Sequence, residues 1–381
     1  MKMETLAVHA GAAADPVTGS VAPPLHLSST FVHGPATEEI HGYIYIRDKN
    51  PTQDRLEAAM SALEGGEDAL AFSSGMGATC ALFQSLEPQS HVIIPEDVYV
   101  HVRDVAAAYF KNWQLEYSTV DTQSLSAITA ALRPNTKVLW TETPSNPQMK
   151  IMDIAAVARI AHQAGAHLVV DNTFATPLLV RPLELGANMS VQSATKFLSG
   201  HGDVMGGVIT ADAEYINAIR GMSRTFGPLL GPFESYLTMR GIKTFPIRME
   251  RQCLNACRVA QWLGSHPRIS RVHYLADPKH PDALTIRRLL PEGLYGAIVS
   301  FEIKDARKED VFRFMDKLRL VVSATSLGDV HSLLLYPLIA SHRDLSPKQR
   351  ERMGIHDGFV RLCAGIEAAE DIIADLEQAL E

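Results

Sequence analysis

A lysine that closely follows two hydroxyl residues carries the clearest chemical signal in this chain. Lys196 comes directly after Thr195 and shortly after Ser193, and Asp171 ends an earlier apolar run. An amine can form a Schiff base, hydroxyl groups can hold a phosphate, and a buried carboxylate can pair with a pyridinium nitrogen. These are the groups that bind pyridoxal phosphate, so the sequence predicts this cofactor.

The alternative is a surface lysine and an aspartate that caps a helix or lies in a turn. Either residue alone would favour that interpretation, because both types are common at protein surfaces. Asp171, however, follows the run His167–Val170, which has the length of a buried strand in a parallel sheet. A second predicted strand, Met189–Gln192, delivers Lys196 to the same carboxyl edge, where open α/β sheets bind ligands. The pair together favours the cofactor site.

Nine segments of the chain, in one order, resemble the transsulfuration family of pyridoxal-phosphate enzymes, also called the Cys/Met metabolism family. That family includes cystathionine synthases and lyases and methionine γ-lyase. The segments are VAPPLHLSSTF (Val21–Phe31), YIRDKNPTQDRLE (Tyr45–Glu57), ALAFSSGMGA (Ala69–Ala78), ETPSNP (Glu142–Pro147), VVDNTFATP (Val169–Pro177), SATKFLSGH (Ser193–His201), MRGIKT (Met239–Thr244), SLGDVHSL (Ser326–Leu333) and DGFVRLCAGIE (Asp357–Glu367).

The resemblance and the periodicity together predict an α/β fold of the type I aminotransferase-like class. Helical stretches alternate with short apolar strands from about residue 53 onward, which calls for a mainly parallel sheet covered by helices. We expect an N-terminal arm over 1–52 that makes intersubunit contacts, because it is rich in Gly, Pro, Ser and Thr and lacks sustained periodicity. The cofactor-binding domain then spans 53–245, and a smaller C-terminal α/β domain spans 246–381.

A Ser-Gly turn between a predicted strand and helix provides a phosphate site. Amide groups and the positive end of a helix dipole can hold an anion there, and the resemblance implies that the turn Ser74-Gly75-Met76 does so. Ser193 and Thr195 would donate hydroxyl hydrogen bonds to the same phosphate. Their participation makes this turn part of the predicted cofactor site.

Two arm residues resemble family positions that reach the phosphate of a neighbouring subunit. Tyr45 and Arg47 occupy these positions, and an arginine can make a bidentate contact to a phosphate that a lysine cannot reproduce. The alternative is an ordinary surface tyrosine and arginine. The resemblance predicts a homo-oligomer of at least two subunits, and a homotetramer built from dimers that share active sites.

The resemblance also implies how the cofactor ring is held and used. Tyr99 would stack on the ring and help to transfer protons, Thr173 would pack on the opposite face, and Asn146 would bond the phenolic oxygen. Asp171 would keep the ring nitrogen protonated, so that the ring accepts electrons from the substrate α-carbon. Lys196 would first hold the cofactor and then carry protons between the α- and β-carbons.

The substrate residues leave several activities open. Arg361 would clamp the substrate α-carboxylate with help from Ser326. Cystathionine-handling relatives commonly carry a glutamate where this chain has Thr325, and some synthases carry an arginine where it has Asp48. His101 also departs from the family pattern, and is either a packed histidine or a substrate contact. These departures favour γ-elimination from a substrate other than cystathionine.

The predicted activity is therefore that of a carbon–sulfur or carbon–heteroatom lyase acting on a γ-substituted amino acid such as methionine or homocysteine, with γ-replacement as a further activity. Cystathionine γ-synthase, cystathionine γ- or β-lyase and a lyase of a cationic-tail substrate such as canavanine remain alternatives. A dehydrogenase would need a GxGxxG turn, which Gly75-Met76-Gly77 does not continue. A non-catalytic binding protein is disfavoured because Tyr99, Asp171 and Lys196 are all present.

Composition limits the partners. The 381 residues carry a formal net charge of −8 and no basic run, which argues against nucleic acid. No apolar segment approaches the roughly 20 residues that span a bilayer, and the start MKMETLAVHAG lacks the layout of a signal peptide. We expect a cytoplasmic protein without a membrane partner. Neither the four cysteines nor the fifteen histidines show metal-ligand spacing, so we expect no metal.

Overall fold

The computed structural model describes residues 1–340, 343, 350 and 353–381. In this part of the chain, the larger sheet has seven strands in the spatial order β1-β7-β6-β5-β4-β2-β3. The strand β7 runs antiparallel to both of its neighbours, and the other pairs are parallel. The strands are Asp68–Phe72 (β1), His91–Pro95 (β2), Glu116–Val120 (β3), Thr136–Glu142 (β4), His167–Asp171 (β5), Met189–Gln192 (β6) and Gly207–Ala211 (β7).

A second sheet of the described residues has five strands in the order β10-β11-β12-β9-β8. Its pairs are antiparallel except for β10 with β11, so the smaller C-terminal unit differs from the larger sheet in strand direction. The strands are Ile269–His273 (β8), Ile298–Ile303 (β9), Val322–Ser323 (β10), Leu333–Leu335 (β11) and Phe359–Cys363 (β12).

Helices cover both sheets, as the alternating pattern predicts. They are Met3–His9 (α1), Pro51–Glu64 (α2), Gly75–Gln84 (α3), Val100–Tyr109 (α4), Leu125–Ala131 (α5), Ile154–Gln163 (α6), Thr176–Leu179 (α7), Ala213–Phe226 (α8), Pro232–Ile242 (α9), Phe245–Ser265 (α10), Ala283–Leu289 (α11), Lys308–Lys317 (α12) and Ala369–Leu380 (α13), with a 3₁₀ turn at Pro182–Leu185. None of the helices in the described ranges has the length and apolarity that crossing a bilayer requires.

The central strands are buried because they are almost wholly apolar. Trp140 on β4 and Val169 on β5 are inaccessible to solvent, and Phe83 packs on Trp140 with ring centroids 5.4 Å apart. Two covered faces require near-continuous apolar runs in parallel strands. The polar residues of these strands therefore lie mainly near the strand ends. Those at the carboxyl ends meet at one edge of the sheet.

The long helix α10 fixes the segment that follows the predicted catalytic lysine. Arg248 on this helix is only 6% exposed. Its guanidinium donates to the carbonyl oxygens of Phe197 at 2.9 Å and Leu198 at 3.1 Å. A buried arginine that bonds carbonyl groups holds a loop in one geometry, at the cost of its own desolvation. This helix therefore supports the turn that carries Lys196.

The first residues differ from the extended arm that the composition predicts. Met3–His9 form the helix α1, and Ala7 is buried against the neighbouring helices α2 and α10. The error arises because seven residues are too few to show a helical period, and the tertiary contact decides their conformation. Most of the arm between α1 and α2 is irregular and exposed, with large exposed fractions at Val21 (81%) and Val32 (72%).

Candidate active site

A cavity of about 900 Å³ lies at the carboxyl edge of the parallel strands and extends to the second sheet. Open α/β sheets bind their ligands at this edge. The cavity brings together most of the site residues predicted from the sequence. They are Ser74, Gly75, Met76, Tyr99, Asn146, Asp171, Thr173, Ser193, Thr195, Lys196, Thr325, Ser326 and Arg361.

Lys196 presents its amine inside this cavity. The Nζ atom donates a hydrogen bond of 2.9 Å to Oγ of Ser326, which comes from the second sheet's side of the cavity. Burial lowers the pKa of the Lys196 amine, and the positive charge of Arg361 lowers it further. A lowered pKa makes the unprotonated amine more abundant near neutral pH, which suits both a nucleophile and a base.

Asp171 ends β5, and the next residues tie it to the following strand. The Thr173 amide donates to Oδ1 of Asp171 at 3.0 Å. The Ser193 amide in turn donates to Oγ1 of Thr173 at 2.8 Å. Burial raises the pKa of Asp171, whereas the hydrogen bonds from Thr173 oppose that rise. Ordered donors therefore favour the ionised carboxylate in a buried position.

The start of α3 has the geometry that can bind an anion. Ser74 caps the helix by accepting a hydrogen bond of 2.9 Å from the Gly77 amide. The amides of Gly75 and Met76 lie in the same first turn, at the positive end of the helix dipole. A Cβ atom on Gly75 would stand 3.2 Å from Cβ of Ser193, so a side chain would crowd this cradle. Glycine therefore leaves the approach to this helix start open.

The sequence predicts that the Thr195 hydroxyl donates a hydrogen bond to the phosphate, but here it bonds the backbone of Gly206. Its Oγ1 accepts from the Gly206 amide at 2.9 Å and donates to the Gly206 carbonyl at 3.2 Å. The hydroxyl hydrogen is thus directed at the backbone in this conformation. Thr195 lines the cavity, and its contact with Gly206 fixes the turn before Lys196.

Arg361 reaches the cavity from β12 of the second sheet and is 4% exposed. Its Nη1 donates to Oδ1 of Asn146 at 2.9 Å, and its Nη2 donates to the carbonyl oxygen of Ser326 at 2.8 Å. Within the described residues, its buried Nε has no hydrogen-bond partner. An unsatisfied buried donor is costly. A substrate carboxylate is the kind of group that would satisfy it.

Tyr99 immediately precedes α4 at the cavity, and a glutamate holds its backbone. The amide of Tyr99 donates to Oε1 of Glu142 at 2.9 Å. The Tyr99 ring meets the ring of His101 edge to face, with centroids 5.3 Å apart. Burial raises the pKa of the Tyr99 hydroxyl, and Asp171 and Glu142 raise it further. Glu142 belongs to the quoted ETPSNP segment, but its role escapes sequence reasoning because only the folded sheet places it beside Asp171.

Three predicted residues lie elsewhere in the subunit. Tyr45 and Arg47 are arm residues outside the cavity lining, and the Arg47 guanidinium stands 5.5 Å from the centre of the Tyr45 ring. Asp48 is also outside it and pairs with Arg224 at 3.3 Å. Both side chains of this ion pair are exposed to solvent. A single subunit therefore does not bring these residues to its own cavity.

Residues 4–381 match a known family, under the description Cys/Met metabolism PLP-dependent enzyme. The chain belongs to this family. The enzyme is 41% identical over 380 residues to a cystathionine gamma-synthase of Mycobacterium tuberculosis, covering 99% of this chain and 96% of the relative. It is also 40% identical over 388 residues to an L-methionine gamma-lyase of Fusobacterium nucleatum subsp. polymorphum, covering 99% and 97%.

A solved structure, that of metB from Corynebacterium glutamicum, superposes on the enzyme with a TM-score of 0.95 at 38% identity. The match covers 100% of this chain and 98% of the other. The predicted fold class, the predicted cofactor and the assignment as an enzyme are thereby confirmed. The relatives carry different activities at nearly equal identity, so similarity alone does not select the substrate.

The residues in the cavity fit pyridoxal phosphate. A glycine cradle at a helix start suits the phosphate, a buried lysine amine suits the aldehyde carbon, and a buried carboxylate suits the ring nitrogen. Gly75, Lys196 and Asp171 supply these groups and all line the one cavity. No group of three or more His, Cys, Asp or Glu side chains in the described ranges is arranged to hold a metal ion.

Proposed function

We propose that the enzyme eliminates the γ-substituent of an amino acid such as methionine or homocysteine. The observation that carries the reaction class is the arrangement of Lys196 and Arg361 around Ser326, with the lysine amine 2.9 Å from its hydroxyl and the guanidinium 2.8 Å from its carbonyl. A bound α-carboxylate on Arg361 would present the substrate α-carbon to the lysine amine. The same amine can then move protons at neighbouring carbon atoms.

The side chains have separable tasks in this proposal. Pyridoxal phosphate supplies an electron sink for the pair of electrons left when the α-proton is removed. Lys196 takes that proton and later one from the β-carbon. The Tyr99 hydroxyl would give a proton to the γ-substituent, which leaves with the electron pair of its bond to the γ-carbon. Asn146 gives its oxygen to Arg361, so its amide nitrogen remains as the donor toward the cofactor oxygen. Arg361 orients the substrate through its carboxylate.

The preference for an uncharged tail is supported by the cavity lining. Apolar side chains form much of the cavity wall. Thr325 is neutral, whereas cystathionine-handling members of the family commonly carry a glutamate at this position. A thioether tail gains from apolar contact and needs no charged partner. The apolar lining residues include Val100, Phe174, Met205, Leu335 and Ile339.

A cationic side chain in the cavity supports a second candidate substrate. Arg343 also lines the cavity, and its positive charge favours a substrate with a distal carboxylate, such as cystathionine. Asp104 lines the same cavity and carries the opposite charge, which favours a cationic tail such as that of canavanine. Because the two charges favour opposite tails, cystathionine and canavanine both remain alternative substrates to methionine and homocysteine.

A substrate panel tests the proposal directly. Methionine, homocysteine, cystathionine, canavanine and an O-acylhomoserine are compared by kcat/KM, and 2-oxobutyrate, pyruvate, homoserine and ammonia are measured as products. The proposal expects 2-oxobutyrate and ammonia from methionine or homocysteine at the highest kcat/KM. A higher kcat/KM for cystathionine or canavanine, or pyruvate as the main keto acid, would overturn it.

We also propose that active sites are shared between two subunits, as dimers within a homotetramer. The support is that Tyr45 and Arg47 stand outside their own cavity while the surrounding arm exposes apolar side chains, among them Leu27 at 67% exposure. Exposed apolar residues in a cluster are typical of a contact surface between proteins. Sedimentation at several protein concentrations measures the assembly, and a stable monomer would contradict it.

A further inference from the structure

Glu142 and Asp171 stand side by side at the edge where the cofactor binds. The register of the parallel strands β4 and β5 pairs these two residues directly. Neighbouring strands lie about 4.8 Å apart, and paired residues point to the same face. Both side chains line the active-site cavity. The cofactor chemistry described above uses only one of these two carboxyl groups.

Two carboxyl groups at this spacing, one buried and one partly buried, cannot both ionise easily. Each loses hydration on burial, and each would feel the negative charge of the other. Glu142 is 9% exposed, so little water screens the pair. Such pairs share one proton and titrate as a unit, with one member neutral near neutral pH. The hydrogen-bond donors around each group decide which member keeps the proton.

The donors around Asp171 favour its ionised form. Thr173 supplies both its amide, at 3.0 Å from Oδ1, and its hydroxyl. The pyridinium nitrogen of the cofactor would add a positive partner on the same side. Asp171 is therefore the member of the pair that keeps the negative charge.

Glu142 faces more negative charge than Asp171 does, because two carboxylates lie near it. Burial, Asp171 and Asp97 raise the pKa of Glu142 well above its ordinary value, and the hydrogen bond from the Tyr99 amide only partly opposes this. Lys150 pairs with the Asp97 carboxylate at 3.1 Å and so reduces, without removing, that contribution. The environment on this strand favours the neutral acid.

We propose that Glu142 carries the proton of the pair in the resting enzyme and acts as a positioning residue. The neutral Glu142 leaves the single negative charge on Asp171, where the pyridinium nitrogen requires it. Its Oε1 also holds the Tyr99 amide, and with it the start of α4. This proposal rests on the pyridoxal-phosphate site alone, so it stands whichever amino acid the enzyme consumes.

The first test compares cofactor affinity in three variants. Glu142→Gln imitates the neutral acid and keeps an oxygen for the Tyr99 amide, so the Kd of pyridoxal phosphate for apoenzyme should stay within about threefold of the wild-type value. Glu142→Ala loses that contact, and its Kd should rise about tenfold. Glu116→Gln, on the exposed strand β3, removes a charge far from the cavity and should change nothing. A tenfold weaker Glu142→Gln would overturn the proposal.

Infrared spectroscopy of the holoenzyme detects the proton itself. The wild type at neutral pH should display the carbonyl band of a protonated carboxyl group that is missing from Glu142→Gln and present in Glu116→Gln. The absence of a difference would overturn the proposal. Should Glu142→Gln fail to fold, Glu142→Asp serves instead, and the band should change frequency. Neither measurement uses turnover, so a wrong substrate assignment leaves both results unaffected.

Discussion

The Arg361 guanidinium donates a hydrogen bond of 2.9 Å to Oδ1 of Asn146 and so joins the two sheets across the cavity. Arg361 belongs to β12 of the smaller sheet, and Asn146 follows β4 of the larger one. The contact makes the proposed substrate clamp and the proposed cofactor site parts of one network. Displacement of either side chain should therefore disturb both binding functions.

Arg361→Lys should raise the KM for the amino-acid substrate about 10- to 100-fold, because a lysine cannot keep the planar set of donors that bonds both Asn146 and a carboxylate. The visible band of lysine-bound cofactor should persist, since Lys196 is unchanged. Steady-state kinetics and absorbance measure these effects, and the exposed Arg271→Lys is the matched control. An unaltered KM would remove Arg361 from the substrate site.

Arg47→Ala and Lys196→Ala should each be nearly inactive as homomers but active when their subunits exchange. A hybrid dimer has one site with both native residues, so a random mixture should recover up to about a quarter of the wild-type activity. The measurement is activity after subunit exchange, with hybrid formation verified by mass spectrometry of the intact assembly. Hybrids that form and stay inactive would show that Arg47 does not complete a partner's site.

Asp48→Asn should raise kcat/KM for cystathionine relative to methionine if Asp48 faces a partner's cavity, because an anionic residue repels a distal carboxylate. Arg224→Gln is the control, since it breaks the same ion pair and leaves the charge of Asp48 in place. The ranking should change in the first variant only. Equal rankings in both variants would reduce Asp48 to a surface ion pair.

A buried acid behind the cofactor strands should make stability depend on pH. Glu64 is fully buried and accepts a hydrogen bond of 2.7 Å from Nε2 of Gln192, and burial raises its pKa from 4.5 to about 7. Between these pH values the folded state binds more protons than the unfolded chain. The free energy of unfolding should therefore fall as pH rises through this window, by up to about 3 kcal/mol.

Urea unfolding of the apoenzyme at pH 5, 6, 7 and 8, at one protein concentration, measures this dependence. Glu64→Gln cannot take up the proton, so its unfolding free energy should change less steeply with pH than that of the wild type. Parallel curves for the two proteins would mean that Glu64 is already ionised in the folded state at pH 5.

The sequence alone predicts the part of the site that depends on strand ends. Asp171 and Lys196 follow apolar runs, and parallel strands deliver such residues to one edge. It does not predict contacts that need the order of strands or the docking of two sheets. Glu142 meets Asp171 only because β4 lies beside β5, and Arg361 meets Asn146 only because the second sheet closes over the cavity.

The arm marks a different limit of sequence reasoning. The helix α1 is too short to be predicted from periodicity, and its burial through Ala7 comes from contacts that are remote in sequence. Tyr45 and Arg47 lie outside the cavity of their own subunit, and in our proposal they complete the cavity of a partner subunit. The local sequence pattern identifies Tyr45 and Arg47 as candidate phosphate-binding residues, but it does not show which cavity they reach.

The attachment site of the cofactor tests the central claim most directly. Borohydride reduction of the holoenzyme, digestion and peptide mass spectrometry locate the lysine that the cofactor modifies. The phosphopyridoxyl group should be found on Lys196 and be lost, together with the visible band, in Lys196→Ala. A group fixed to another lysine, or a Lys196→Ala enzyme that keeps both its band and its turnover, would contradict the account.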